Sequence, residues 1–408
     1  MTKRVVIVGA GHGGVSLCAA LRALNFTGPI TLISDEPDLP YHRPPLSKAF
    51  LTQDSADAES RLLLEPQRFY DDQRIDLRLN TRVTALDTQA RSLRLNDSSP
   101  LDYDMLVLAT GARARTLALP GSELDGVVVL RTLEHARSLR QRLASSQSVA
   151  IVGGGFIGLE IASTARKLGK HVTVLETASR IMERSVSPHV SAHVTDKHRQ
   201  QGTRLELNST VSAFLGDNGH VRSVRTHNGE WPADLVIVGA GSLPNSELAE
   251  AAGISCANGI LVDAQMRTSA PDVFAIGDCV AFENTYAANA RLRLESIQNA
   301  NDQARLVARL IVGEQATYQA LPWFWSDQGE VKLQMVGLSV GRTHCVTRGD
   351  PEQGRFSVFH YRDATLIAVD SVNQPLEHIL SRKLLAAGIS PDPAIIADPN
   401  IALKSLLD

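Results

Sequence analysis

One pattern of apolar and polar positions occurs twice along the chain. A wholly apolar run, Val5-Val6-Ile7-Val8, meets the glycine cluster Gly9-Ala10-Gly11-His12-Gly13-Gly14, and a helical stretch then continues to about Leu24. A second apolar run, Ile30-Thr31-Leu32-Ile33, ends at Ser34-Asp35-Glu36. The second copy begins at Val149-Ala150-Ile151-Val152 and turns through Gly153-Gly154-Gly155-Phe156-Ile157-Gly158. It continues as a helix over 159–168 and ends in His171-Val172-Thr173-Val174-Leu175 before Glu176. Each copy reads as strand, glycine turn, helix, strand. Further apolar runs end in glycine at 105–111, 235–241 and 273–277. Continuous apolar runs of this length fit parallel strands covered on both faces.

Beyond a helical stretch near 298–310 the pattern changes. Pro322-Trp323-Phe324-Trp325 holds two of the three tryptophans, and from there to about Val372 apolar and polar positions alternate as in antiparallel strands. The end, from Leu376, reads as helix with proline-containing turns. The fold expected is α/β, with two Rossmann-like dinucleotide-binding domains and an α+β C-terminal domain. The boundaries read as 1–112 and 241–320 for a discontinuous first domain, 113–240 for the second, and 321–408 for the third.

Composition narrows the function. The chain has 408 residues, 43% hydrophobic and 21% charged, with a net charge of -3. That balance argues against bulk nucleic-acid binding. No apolar run reaches the roughly 18 residues that span a membrane. The N-terminus enters a strand within a few residues, without the apolar stretch of a secretory leader, so a cytoplasmic location is expected. The four cysteines, Cys18, Cys256, Cys279 and Cys345, are far apart. No metal site is expected from them, and all four read as buried small residues.

The glycine turns carry the chemistry. In G-x-G-x-x-G the first glycine makes the turn, the second lets a pyrophosphate approach the backbone, and the third lets helix and strand pack closely. The helix N-terminus then offers free N–H groups and partial positive charge. Gly9, Gly11 and Gly14, with Gly13 beside them, form one such set; Gly153, Gly155 and Gly158 form the other, with Phe156 and Ile157 opening its helix. Asp35 or Glu36 is placed to accept from ribose hydroxyls of the first nucleotide, and Glu176 from those of the second. A 2′-phosphate beside Glu176 would meet a like charge, which favours NADH over NADPH; Arg180 and Arg184 downstream soften this. Gly277-Asp278, a strand end far along the chain, suits a second contact to an extended ligand such as FAD. His12 reads as a solvent-facing filler.

The chain resembles the FAD-dependent pyridine nucleotide–disulfide oxidoreductase superfamily, with its glutathione-reductase-like fold. Within it, the chain is most similar to NADH-dependent ferredoxin reductases such as putidaredoxin reductase and the reductase components of aromatic-ring dioxygenases. The resemblance rests on Pro40-Tyr41-His42-Arg43-Pro44-Pro45-Leu46-Ser47-Lys48, Leu108-Ala109-Thr110-Gly111, Leu130-Arg131-Thr132, Gly158-Leu159-Glu160, Ala275-Ile276-Gly277-Asp278, Glu295-Ser296-Ile297-Gln298 and Trp323-Phe324-Trp325-Ser326-Asp327-Gln328. It implies that Lys48 lies beside the isoalloxazine near N5, where its charge would stabilise reduced flavin. Glu160 is then expected to pair with Lys48 and to contact the nicotinamide amide, with Glu295 a second candidate for that contact. Arg43, Val83, Arg131, Ser296 and Ile297 carry over as FAD contacts, as do the turns Ala109-Thr110-Gly111 and Gly277-Asp278. Gly239 carries over to the nucleotide site of the second unit, with Arg184. Trp323 and Trp325 would lie against the flavin on its acceptor side.

The resemblance implies hydride transfer from NADH to FAD N5, then single electrons to a [2Fe–2S] ferredoxin feeding an oxygenase, or less readily to a rubredoxin. The region 40–50 holds no cysteine, which argues against the thiol chemistry of disulfide reductases and peroxidases. Alternatives are an NADH oxidase or a quinone or monodehydroascorbate-type reductase on the same scaffold and, from another class, a nucleotide-binding signalling protein like apoptosis-inducing factor, in which flavin is structural. Acidic ferredoxins need a basic docking patch. Arg291, Arg293, Arg305, Arg309, Lys332, Arg342 and Arg348 outnumber Glu295, Asp302, Glu314, Asp327 and Glu330 over 291–348. Arg305, Arg309 and Lys332 are the docking residues expected. Relatives often carry a basic residue where this chain has Gln334; Lys332, on the same strand face, is the substitute. A monomer and a homodimer are both compatible with the sequence.

Overall fold

The computed structural model describes residues 3–53 and 58–407. They form two compact units. The first comprises Met1–His42, Glu59–Arg113 and Leu243–Pro322. Its main sheet is parallel throughout, in the order Val273–Ala275, Met105–Leu108, Val5–Val8, Ile30–Ile33, Ile75–Arg78. The three apolar runs 5–8, 30–33 and 105–108 are buried at every position, because layers cover both faces of the sheet. On one face lie the helices His12–Ala23 and Ile297–Ile311, packed on each other. The second of these buries Ala300, Ala304, Val307, Ala308 and Ile311 along one stripe, and Ser296 caps it by accepting from Asn299 N at 3.1 Å. Leu17, Leu21, Ile7, Phe274 and Val307 meet in the core beneath. Each large side chain buried there contributes roughly 1.5–3 kcal/mol.

The second unit comprises Arg43–Ala58, Ala114–Ser242 and Trp323–Asp408. It repeats the architecture: a parallel sheet in the order Arg204–Glu206, His171–Leu175, Ser148–Val152, Leu235–Val238, Val127–Val129, with the helix Phe156–Lys167 following the glycine turn. The same unit carries a five-stranded antiparallel sheet. Its order is Trp323–Gln328, Val331–Gly337, Thr365–Val372, Arg355–Arg362, His344–Asp350. Helix Pro375–Ala386 packs on it. The parallel sheet drawn from 127–238 and the antiparallel sheet drawn from 323–372 thus lie within one unit, and the Pro-Pro-Leu-Ser-Lys segment groups with them.

Arg348, one of the charges of the expected docking patch, is instead buried. It donates to the carbonyls of Ile396, Asp398, Pro399 and Ile401 and pairs with Glu377 at 3.0 Å, so its charge ties down the C-terminal segment. Cys18 and Cys279 are buried as expected, whereas Cys256 and Cys345 are only partly so. No helix among the described residues is long and apolar enough to cross a membrane.

Candidate active site

The two glycine turns are built alike, and each glycine answers to a different neighbour. Gly9 and Gly153 both have φ +112°, outside the range of ordinary side chains. A Cβ on Gly9 would stand 2.1 Å from the carbonyl oxygen of Ala109, and one on Gly153 would stand 2.4 Å from that of Gly239. A Cβ on Gly14 or Gly158 would meet the carbonyl of its own turn, Gly9 O at 2.1 Å or Gly153 O at 2.3 Å. Gly11 and Gly155, in contrast, have nothing within 4 Å of an added Cβ. These two residues cap the helices without a side chain, and no acidic residue stands in either first turn. Open space and a helix N-terminus therefore coincide at the position where a diphosphate binds in such turns.

In the first unit, Asp35 pairs with Arg82 at 3.2 Å, and Glu36 accepts from the Tyr41 hydroxyl. The Ala109-Thr110-Gly111 turn is clasped by Asn245. Its backbone N–H donates to Gly111 O at 3.0 Å, its amide to Thr110 O at 2.9 Å, and its own carbonyl accepts from Thr110 Oγ1 at 2.7 Å. Gly277 N donates to Gln303 Oε1 at 2.7 Å, which fixes the turn that carries Asp278. Arg293 reaches the Asp278 carbonyl at 3.2 Å and also pairs with Glu295. Ser296 and Ile297 begin the long helix immediately after. Val83 opens a strand of a small antiparallel sheet, half-buried. His12, at the first glycine turn, has its Nε2 3.2 Å from His42 Nδ1. Asn245 and Gln303 escaped sequence reading because the turns they hold lie elsewhere in the chain, and Arg293, read there only as a charge of the basic patch, is drawn to the Asp278 turn.

In the second unit, Glu176 reaches back to the glycine turn. Its Oε2 accepts from Gly154 N at 2.6 Å and its Oε1 from Ala178 N at 2.8 Å. Arg180 is occupied by the carbonyls of Val186 and Glu183, while Arg184 is exposed. Arg43 Nη1 donates to Arg131 O at 2.9 Å, which brings two expected FAD contacts together. Lys48 Nζ lies 2.7 Å from Glu160 Oε2. Glu160 is 6% exposed, and two hydroxyls complete its surroundings: Ser47 Oγ donates to Oε2 at 2.6 Å and Ser326 Oγ to Oε1 at 2.7 Å. Such a carboxylate is tolerated away from water because every donor around it is ordered.

The strand Trp323–Gln328 has two distinct faces. Phe324 packs on Phe156, with ring centroids 5.0 Å apart, and Ser326 and Gln328 are buried. On the other face, Trp323 and Trp325, 5.5 Å apart, line an open groove of about 330 Å³ with Asp327, Lys332, Gln334 and Pro375. Lys332 and Gln334 thus share a face. All four thiols are disfavoured as thiolates by burial, Cys18 pushed up to about 12 and Cys256 to about 11, with Cys279 and Cys345 also raised. None has the low pKa of a nucleophilic cysteine.

Residues 3–304 match the family model of pyridine nucleotide-disulphide oxidoreductases, and residues 323–407 match that of the reductase C-terminal region. The chain belongs to the pyridine nucleotide-disulphide oxidoreductase family. It is 43% identical over 401 residues to rhodocoxin reductase of Rhodococcus erythropolis, covering 98% of this chain and 93% of that one. The crystal structure of the ferredoxin reductase for the CYP199A2 system from Rhodopseudomonas palustris superposes with a TM-score of 0.97 at 42% identity, covering both chains entirely. The reductase of the covalent putidaredoxin reductase–putidaredoxin complex superposes with a TM-score of 0.95 at 39% identity, over 99% of this chain and 98% of that one. As a member of this family the chain is an oxidoreductase, and its cofactors are FAD and a pyridine nucleotide. The open space over Gly11 and Gly155 is compatible with both.

Proposed function

We propose that the protein is an NADH-dependent ferredoxin reductase, drawing electrons from NADH and delivering them singly to a [2Fe–2S] ferredoxin that serves an oxygenase. The observation that carries this reading is the extent of the likeness: it runs through the C-terminal sheet to reductases named for one-electron carriers. FAD, when bound, supplies the conversion between a two-electron donor and a one-electron acceptor. In the first unit, Gly9, Gly11, Gly14 and the clasped Ala109-Thr110-Gly111 and Gly277-Asp278 turns are the residues assigned to hold it. Gly153, Gly155, Glu176 and Glu160 hold and orient the nicotinamide nucleotide. Lys48 offers its cation to the flavin ring, and Trp323 and Trp325 face the acceptor. The carrier docks through Arg305 and Arg309; Arg305 is well exposed, though it leans on Asp302 at 2.7 Å.

Steady-state NADH oxidation, with and without a [2Fe–2S] ferredoxin coupled to cytochrome c, tests the assignment. Cytochrome reduction that depends on ferredoxin, with little oxygen uptake in its absence, is expected. NADH oxidation at full speed without any carrier, across several ferredoxins and a rubredoxin, would replace this reading with an oxidase or quinone reductase.

The preference for NADH rests on Glu176. Its carboxylate is fixed by Gly154 N and Ala178 N, so it cannot swing away from a 2′-phosphate without losing both bonds. Glu176→Ala is expected to shift the NADPH/NADH ratio of kcat/KM upward by about 10-fold, and Glu176→Arg by more, on the scale of one charge-assisted contact. An unchanged ratio in both variants would remove Glu176 from the ribose site.

A further inference from the structure

The buried face of the Trp323–Gln328 strand leads to a chain of hydrogen bonds that ends on Glu160. Four side chains take part, all buried: Glu160, Ser326, Gln328 and His198. Ser326 Oγ lies 2.7 Å from Glu160 Oε1, Gln328 Nε2 lies 3.2 Å from Ser326 Oγ, and His198 Nε2 lies 3.1 Å from Gln328 Oε1.

The direction of this chain follows from counting protons. A carboxylate at Glu160 accepts only, so the single Ser326 proton goes to it. Ser326 must then accept from its other neighbour, so Gln328 turns its amide N–H toward Ser326 and its carbonyl toward His198. That carbonyl needs a donor, which places the imidazole proton on Nε2. Burial lowers the His198 pKa, so the ring stays neutral and carries this one proton. Every donor points toward Glu160, the arrangement in which successive hydrogen bonds polarise one another.

The same count distinguishes the two oxygens of Glu160. Oε2 is taken by Lys48 and Ser47. Oε1 accepts from Ser326 alone among the described residues. With about two acceptor sites per carboxylate oxygen, Oε1 keeps one for an incoming donor and Oε2 keeps none.

We propose that Ser326, backed by Gln328 and His198, is a positioning residue that aims Glu160 Oε1 at the amide N–H of the nicotinamide. This rests on the reading of Glu160 as a nicotinamide contact. It explains why serine and glutamine alternate with tryptophan in Trp-Phe-Trp-Ser-Asp-Gln: one face of the strand builds the groove, and the other sets the carboxylate.

The test is the affinity of the FAD-loaded enzyme for NAD⁺, read by titrating the flavin absorbance, with thermal unfolding measured alongside. Ser326→Ala should weaken NAD⁺ on the order of 10-fold, the scale of one lost hydrogen bond to a charged group. Ser326→Thr, which keeps the hydroxyl, should stay within about twofold of wild type. Gln328→Glu keeps Ser326 but presents it with an acceptor, so the serine proton is drawn from Glu160 and NAD⁺ affinity should fall in the same direction. In a Glu160→Ala background, Ser326→Ala should add less than about twofold, because the group it acts through is gone. Wild-type affinity in both Ser326→Ala and Gln328→Glu would overturn the proposal, as would an undiminished Ser326→Ala effect in the Glu160→Ala background. If Glu160→Ala itself binds NAD⁺ normally, the reading of Glu160 falls and this proposal with it. If Glu160→Ala is weakened and Ser326→Ala is not, only the positioning role falls.

Discussion

Lys48→Met should slow the bleaching of the flavin by NADH in stopped-flow by about 100-fold, the equivalent of about 2.7 kcal/mol of transition-state stabilisation. Two effects add in this variant. The proposed role of Lys48 is to offset the negative charge that reduction places on the flavin, and methionine offers no charge. The second effect is structural: Glu160 loses the cation beside its buried carboxylate. Breaking a buried pair by removing one partner costs roughly 3–5 kcal/mol, and the 23% exposure of the Lys48 side chain, together with the two hydroxyls that remain, brings the cost below that range, to about 2–3 kcal/mol. The double variant Lys48→Met/Glu160→Gln separates the two. A neutral amide needs no cation, so melting temperature should recover, while flavin reduction stays slow. Recovery of both would make Lys48 a purely structural partner of Glu160. Unchanged bleaching in Lys48→Met alone would remove it from the reaction.

The parts of this site that are legible in sequence are those fixed by local sterics. Gly9 and Gly153 sit at φ values that need glycine, and the apolar runs before them can only be covered strands, so both turns can be read directly from the chain. Glu160 and Lys48 were singled out by motif, although 112 residues separate them. What surrounds them is invisible at that level. Ser47, Ser326, Gln328 and His198 are ordinary polar residues until folding brings three distant segments to one carboxylate. Arg348 shows the converse error. In sequence it is one charge among seven, yet four backbone carbonyls converge on it and take it out of the surface. Asn245 likewise holds the Thr110-Gly111 turn from 135 residues away, a pairing that no periodicity encodes.

The sharpest separation of fold from ligand binding lies in two neighbouring glycines. Gly158→Ala should be among the most damaging single changes in the chain, lowering stability by more than about 4 kcal/mol or abolishing the folded yield. Helix propensity alone argues the other way, since alanine is favoured over glycine in a helix by about 1 kcal/mol. The decisive quantity is the 2.3 Å between the new Cβ and the carbonyl oxygen of Gly153, a backbone atom that cannot move aside without opening the turn. Gly155→Ala should behave oppositely. Gly155 has φ -83° and ψ -179°, an extended conformation open to any residue, and its Cβ would enter empty space. Melting temperature should therefore stay within about 2 °C of wild type. The KM for NADH should rise about 50-fold, because the added methyl occupies the approach of the diphosphate to the helix N–H groups and forfeits more than one charge-assisted hydrogen bond. Circular dichroism melts and NADH kinetics on the two variants decide the matter. A Gly155→Ala enzyme with wild-type KM would mean that the diphosphate does not pass over this turn, whereas a Gly158→Ala protein of normal stability would mean that helix and strand do not need the closeness seen here.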